Sequence, residues 1–167
     1  MSRHNISVVT FRGIAFAAAV SAATAFGGAA AADETANKAT VQKAFDAWAA
    51  GTGSPYDLLA DNVTWTITGN SAASKSYGSR DAFINEVIKP FNSRMSVGLK
   101  PTIRNMYADG DTVIVLFDAA GTAKDGEPYK NTYAWFLDLD GGQIVKASAF
   151  FDSIAFDKLW ALPAASE

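Results

Sequence analysis

The sequence contains no cysteine, and its single histidine, His4, lies near the N-terminus. Without cysteine the chain forms no disulfide, offers no thiol nucleophile and cannot build a cysteine-ligated zinc site. A lone histidine at the start of the chain also argues against a Ser-His-Asp arrangement. We expect neither a metal nor a cofactor. The groups left for chemistry are carboxylates, lysines, tyrosines, amides and hydroxyls.

The N-terminal segment has the pattern of a secretory signal peptide. Two arginines and no acidic residue precede an uncharged, alanine-rich run over residues 13–32, which ends in alanines before Asp33. A positive start, an apolar middle and small residues at the cut predict cleavage after Ala32 and a periplasmic or secreted protein. The alternative is an uncleaved membrane anchor, since 20 residues are long enough to span a bilayer. The small residues make the run weakly hydrophobic, so we favour cleavage.

The remaining chain is acidic. The whole sequence has 14 basic and 17 acidic residues, and residues 1–32 carry two of the basic ones and none of the acidic ones. Cleavage therefore leaves 135 residues, 33–167, with a net charge of −5. An acidic chain without a basic cluster is poorly suited to nucleic acid or anionic membranes, so we expect neither as a partner. Its length suits one domain that needs no disulfides.

Helical patterns dominate the first half. Val41, Phe45 and Trp48 lie on one apolar stripe, which predicts a helix. Ser54 before Pro55 is typical of a helix start, and Pro90 is expected to end or kink a later helix. The predicted elements are a helix over 35–50, a short helix over 55–59, a strand over 63–67 and a helix after Ser79.

Strand patterns fill the second half. The predicted strands cover 99–108, 112–122, 129–138 and 143–151, and an amphipathic helix follows. Their glycine-containing links favour antiparallel hairpins. Pro101 indicates either an edge strand or a late strand start, and Gly121 indicates a bend. Helices followed by a curved antiparallel sheet define the α+β class, with a conical cavity between helices and sheet.

Several segments, in this order and spacing, resemble a known superfamily. They are residues 41–45, 57–65, 125–126, 131–135, 142–145 and 150–152. The first two resemble the opening of nuclear-transport-factor-2-like proteins, and the rest resemble the SnoaL-like polyketide cyclase branch. The resemblance implies a cone-shaped α+β barrel, in which a curved antiparallel sheet wraps around the N-terminal helices and encloses a pocket. It also implies a homodimer formed through the outer sheet face.

The resemblance leaves the activity open, because such folds include isomerases, cyclases, hydrolases and binding modules. Ketosteroid-isomerase-like members need a tyrosine in the first helix, a carboxylate in the first strand and an acid deep in the sheet. The corresponding positions here hold Ala44, Thr66 or Ile67, and Trp135. We therefore do not expect that chemistry.

Asp152 is the candidate catalytic residue. In the SnoaL-like branch an aspartate at this position serves as acid and base, often with a histidine where this chain has Trp135. A carboxylate against aromatic walls exchanges a proton closer to neutral pH, and Tyr133 or Asn131 would polarise the substrate oxygen. The alternative is that Asp152 only caps the terminal helix.

Alternating residues of the third long strand are the candidate pocket wall. Asn131, Tyr133 and Trp135 share one face, and the resemblance turns that face, together with Trp65, toward the cavity. The alternative is that these rings only fill the core. The predicted ligand-binding residues are Trp65, Asn131, Tyr133, Trp135 and Asp152.

Three functions fit these observations. The preferred one is an exported domain that binds a small apolar molecule without demonstrable catalysis, because the branch's histidine is absent and the pocket is aromatic. The second is an acid–base enzyme of the isomerase, cyclase or hydrolase type that uses Asp152 on a small apolar or carbonyl compound. The third is a structural or partner-docking domain whose own side chains fill the pocket.

Overall fold

The structure is a computed structural model that describes Met1 and residues 26–164, with side-chain surroundings described from residue 33. The predicted signal peptide lies mostly outside these residues, so its cleavage and the localisation it implies stay predictions. Within residues 26–164 no helix is both long enough and apolar enough to cross a membrane.

The first helix, α1, covers Phe26–Ala50. It begins before the predicted start at residue 35 and continues through the predicted cleavage site after Ala32. Val41 and Phe45 of the expected stripe are buried, and the helix packs against β3 and β4 of the sheet described below. A 3₁₀ turn, Pro55–Leu58, follows, and the Tyr56 N–H donates to Ser54 Oγ at 3.2 Å as the capping pattern predicts.

A second helical segment crosses the sheet in three parts. They are α2 (Arg80–Phe83), a π-helical turn (Ile84–Ile88) and α3 (Lys89–Asn92). The segment begins after Ser79, as predicted, and Ser79 Oγ caps it by accepting a hydrogen bond from the Ala82 N–H at 3.1 Å. Pro90 does not end the helix. Proline lacks an N–H and clashes with the carbonyl four residues back, and the wider π turn before it makes room for the ring.

Six strands form one curved sheet that stays open. They are β1 (Leu59–Ile67), β2 (Ser76–Tyr77), β3 (Met95–Asp109), β4 (Thr112–Ala123), β5 (Pro128–Asp140) and β6 (Gln143–Phe151). The order across the sheet is β2-β1-β6-β5-β4-β3. The last helix, α4 (Ser153–Trp160), follows β6 directly. The α+β class is confirmed.

One pairing corrects the expectation of an antiparallel sheet. β1 pairs with β6 in parallel, while the other neighbours are antiparallel, so the sheet is mixed. Glycine-containing turns predict only how consecutive strands pair. β1 and β6 are far apart in the sequence, and no turn signal bears on their relative direction.

Gly121 of β4 lies in close contact with the edge strand β3. A Cβ at this position would lie 2.6 Å from both Met95 Cε and the Val97 carbonyl oxygen. The β3–β4 register shifts between Val97 and Lys100, beside this contact. Glycine therefore permits the irregular pairing that curves this end of the sheet. Pro101 lies on the edge strand, as predicted, although β3 begins at Met95 rather than at residue 99.

Candidate functional site

A cavity of about 890 Å³ lies between the inner face of the sheet and the helices. This volume falls within the range of small-molecule sites. Buried side chains of β1 and β5 form its sheet wall, and those of the segment 80–92 form its helix wall. The sheet wall includes Trp65, Tyr133 and Trp135, and the helix wall includes Phe83, Val87 and Phe91. Exposed residues, among them Asn92 and Lys100, mark its rim.

Trp135 is the centre of the aromatic wall. Its ring stacks on Trp48 with centroids 6.0 Å apart, and meets Trp65 edge-on at 5.1 Å and Phe117 edge-on at 4.8 Å. Trp65 in turn stacks on Phe83 at 4.4 Å. Interlocked rings of this kind hold one another in place and present a rigid apolar surface.

The structure brings together three of the five predicted site residues. Trp65, Tyr133 and Trp135 line the cavity, whereas Asn131 and Asp152 do not. Asn131 shares the buried face of β5, as the alternation predicts, but it lies nearer the start of the strand. Its side chain bonds instead to Tyr129 and to the backbone of Asp152.

Asp152 is exposed and caps α4. Its Oδ1 accepts from the Ile154 N–H at 2.9 Å and from the Ala155 N–H at 3.4 Å. Phe151 lines the aromatic cavity, and side chains alternate along a strand, so Asp152 lies toward the opposite face. There it borders a separate groove of about 440 Å³ that also contains Arg104, Asp118 and Lys130. The carboxylate therefore has the geometry of a helix cap. Its catalytic and ligand-binding roles stay predictions.

Phenol groups supply much of the polarity of the buried wall. The Tyr133 and Tyr129 hydroxyl oxygens are 3.1 Å apart, and Asn131 Nδ2 donates to the Tyr129 hydroxyl at 2.9 Å. Burial, and then the neighbouring Tyr129, raise the pKa of Tyr133 well above its ordinary value. The same two causes raise the pKa of Tyr56. Both phenols therefore stay protonated and able to donate hydrogen bonds at physiological pH.

Two charged residues near the rim, Arg80 and Asp57, already have partners within the protein. Arg80 Nη2 pairs with Asp61 Oδ1 at 2.8 Å, and Asp57 Oδ2 accepts from the Ser54 N–H at 2.8 Å. Across the described part of the chain, no three histidine, cysteine or acidic side chains come close enough to hold a metal ion. The deep wall is thus aromatic and neutral.

Sequence reasoning missed several members of the site. Phe83, Val87 and Phe91 form the apolar helix stripe, but the sequence does not show that this stripe faces a cavity. Tyr129 precedes Asn131 and Tyr133 on the same strand face, so alternation could have identified it. Tyr56 gives no such signal, because it lies in a single 3₁₀ turn.

Comparisons with known proteins agree with this architecture. A family model described as the SnoaL-like domain matches residues 41–147. No curated protein sequence matches the chain significantly. Solved structures do match, at identities too low to show more than a shared fold.

Three of these structures illustrate the likeness. An NTF2-like protein from Burkholderia thailandensis E264 has a TM-score of 0.62 at 20% identity, and the match covers 75% of this chain and 98% of that one. A protein classed as a SnoaL-like polyketide cyclase, from Jannaschia sp. CCS1, has a TM-score of 0.62 at 20% identity, covering 78% and 95%. An LEH-like epoxide hydrolase of M. tuberculosis has a TM-score of 0.55 at 15% identity, covering 77% and 91%.

The sheet and the helices follow the fold of these solved structures. The family match spans most of the described domain, from α1 into β6. The protein belongs to the SnoaL-like domain family.

Proposed function

We propose that this protein is an exported SnoaL-like domain that binds a small apolar molecule in its aromatic cavity, without demonstrable catalysis. The observation that carries the proposal is the cavity of about 890 Å³ whose deep wall is made of neutral aromatic side chains. Such a surface favours apolar ligands, because burying apolar area contributes roughly 25 cal/mol per Å².

The open volume is what favours binding over a purely structural role. In a structural domain the protein's own side chains would occupy this space. Here a cavity of about 890 Å³ remains between the helices and the sheet, and the almost fully buried rings of Trp65 and Trp135 form part of its sheet wall. The rings of the aromatic wall belong to strands and helices and hold one another in place, so the site is preformed. A preformed site lowers the entropy cost of binding.

The placement of Asp152 is the reason for proposing binding rather than acid–base catalysis. Its carboxylate accepts hydrogen bonds from backbone N–H groups at the start of α4 and lies outside the aromatic cavity. The likeness to a polyketide cyclase and an epoxide hydrolase is a likeness of fold, and their named activities do not transfer with it.

Export and dimerisation are part of the proposal. The basic, alanine-rich N-terminal segment supports export. Cleavage after Ala32 would leave the helix residues that pack on the sheet, Val41 and Phe45 among them. The exposed outer-face rings of Phe136 and Phe150, with centroids 5.9 Å apart, support association of two copies through that face.

Native mass spectrometry of protein purified from the envelope of the cells that make it tests this proposal. We expect a co-purifying small molecule that is released on unfolding. We also expect the mass of the polypeptide to match a chain that begins at Asp33. Repeated isolation of empty protein with a sealed core would contradict the binding function. A full-length, membrane-bound product would contradict export and leave the binding function standing.

A further inference from the structure

The buried wall of the cavity carries hydrogen-bond donors that the described residues do not satisfy. Among the described residues, Trp65 Nε1 is buried without an acceptor, and the half-buried Tyr56, which also lines the cavity, brings a hydroxyl that stays protonated. In the part of the chain that the structure describes, the Tyr133 hydroxyl has one hydrogen-bond partner, the Tyr129 hydroxyl at 3.1 Å. All three lining residues are donors, so the identity of the ligand depends on what accepts from them.

The orientation of the Asn131 amide is fixed by its partners. The Asp152 N–H can only donate, so the amide atom 2.9 Å from it must be the oxygen, Oδ1. The other amide atom is therefore Nδ2, which donates one hydrogen to the Asp152 carbonyl and one to the Tyr129 hydroxyl, each at 2.9 Å. The Tyr129 oxygen must act as an acceptor toward Asn131.

One hydroxyl hydrogen is then left over. A single hydrogen lies between the Tyr129 and Tyr133 oxygens, although each residue brings one. If Tyr133 donated, the hydrogen of Tyr129 would be without an acceptor, in a buried position behind the cavity against Phe91. If Tyr129 donates, the free hydrogen belongs to Tyr133, which lines the cavity. A ligand that offers an acceptor there selects the second arrangement, because successive hydrogen bonds polarise one another.

We propose that Tyr133 donates its hydroxyl hydrogen to an accepting oxygen of the ligand, and that Asn131 and Tyr129 are positioning residues that direct this hydrogen into the cavity. The inference rests on the binding function proposed above and adds the chemical class of the ligand. That class is an uncharged ring compound with a carbonyl oxygen. A pure hydrocarbon would cover the Tyr133 donor without pairing it, and an ammonium ion would find no carboxylate on the deep wall.

Two compounds of nearly equal shape test this inference. 2-Acetonaphthone has a carbonyl where 2-ethylnaphthalene has a methylene. Their dissociation constants are measured by isothermal titration calorimetry on the full domain. We expect the ketone to bind about tenfold more tightly, equivalent to about 1.4 kcal/mol.

Variants identify which residue causes the preference for the ketone. Tyr133→Phe keeps the ring and removes the hydroxyl, so it should lower the ratio of the two affinities to about one while changing the hydrocarbon affinity by less than about twofold. Tyr129→Phe leaves Tyr133 without its donor, so we expect it to lower the ratio by about threefold. Tyr107→Phe, at an exposed tyrosine of β3, is the matched control and should change neither affinity. Thermal unfolding of each variant confirms that it is folded.

The outcomes separate the inference from the function on which it rests. Equal binding of the two compounds by the unmodified protein would overturn the inference and leave the binding function intact. A full ketone preference in Tyr133→Phe would overturn the assigned donor, and Tyr129→Phe provides a second test if Tyr133→Phe does not fold. If neither compound binds, both the inference and the proposed function fail.

Discussion

Asn131 holds the backbone of Asp152 with both ends of its amide, through two hydrogen bonds of 2.9 Å. This contact joins the buried face of β5 to the junction between the end of β6 and the start of α4. It also fixes the Tyr129 hydroxyl and, through it, the hydroxyl of Tyr133. A residue that does not line the cavity therefore organises one side of it.

Replacing Asn131 should destabilise the domain. Asn131→Leu keeps a similar volume but leaves the Asp152 N–H and carbonyl without their partners, which we expect to cost about 2 kcal/mol of the free energy of unfolding. Urea denaturation measures this. Asn105→Leu, at an exposed asparagine of β3, is the control and should stay within about 0.5 kcal/mol. Equal stability of the two variants would contradict a stabilising role for the hydrogen bonds of Asn131.

Adding a single methyl group at Gly121 should destabilise the domain. In Gly121→Ala the new Cβ would collide with Met95 and with the Val97 carbonyl, and we expect a loss of about 1–3 kcal/mol in urea unfolding. Gly98→Ala is the matched control from the facing strand, because no atom lies within 4 Å of a Cβ built there. Similar stabilities for the two variants would contradict the close approach of β3 to β4.

Alkaline pH should destabilise the fold through its buried phenols. The pKa of Tyr56 is raised above its ordinary 10.0, first by burial and then by Tyr129. Above about pH 10 the unfolded chain releases this proton while the folded chain keeps it, so the stability is present below that pH and is lost as the pH rises further. Tyr133 adds to the effect in the same direction.

Urea unfolding at a series of pH values, together with phenolate absorbance, measures this dependence. The buried tyrosines should ionise only as the protein unfolds. Tyr56→Phe should reduce the loss of stability between pH 10 and 11, whereas Tyr107→Phe should leave it unchanged. Free ionisation of all five tyrosines in the folded protein would contradict the burial of these hydroxyls.

Asp152 should behave as a helix cap. Asp152→Asn retains an oxygen for the amides of Ile154 and Ala155, so we expect a change in stability of less than about 0.5 kcal/mol, whereas Asp152→Ala should cost about 1 kcal/mol. Neither variant should alter the affinity for 2-acetonaphthone. Loss of ligand affinity in Asp152→Asn, or loss of turnover once a substrate is known, would instead support the acid–base function.

The sequence was most informative where periodicity decides which way a side chain faces. Alternation placed Tyr133 and Trp135 on the inner face of β5, and the structure agrees. The same rule could have assigned Asp152: Ala149 and Phe151 line the cavity, so the next residue turns outward. Alternation predicts the face of the strand but not the depth along it, so it does not separate Asn131 from the residues that line the cavity.

Other features depend on contacts between distant parts of the chain. The parallel pairing of β1 with β6 has no local signal, because no tight turn joins them. The π turn before Pro90 reflects a proline accommodated inside a helix that packs on the sheet. Tyr56 reaches the cavity only because the 3₁₀ turn leads directly into β1.

Binding of 2-ethylnaphthalene, measured by calorimetry with protein titrated into ligand, tests the central claim most directly. Leu99→Trp places a large ring on the cavity wall, and Ile103→Trp places the same ring at a partly buried position of β3 outside it. We predict that the unmodified protein and Ile103→Trp bind with similar affinity and that Leu99→Trp binds at least about tenfold more weakly. No binding by the unmodified protein, or equal binding by all three proteins, would contradict the aromatic cavity as the ligand site.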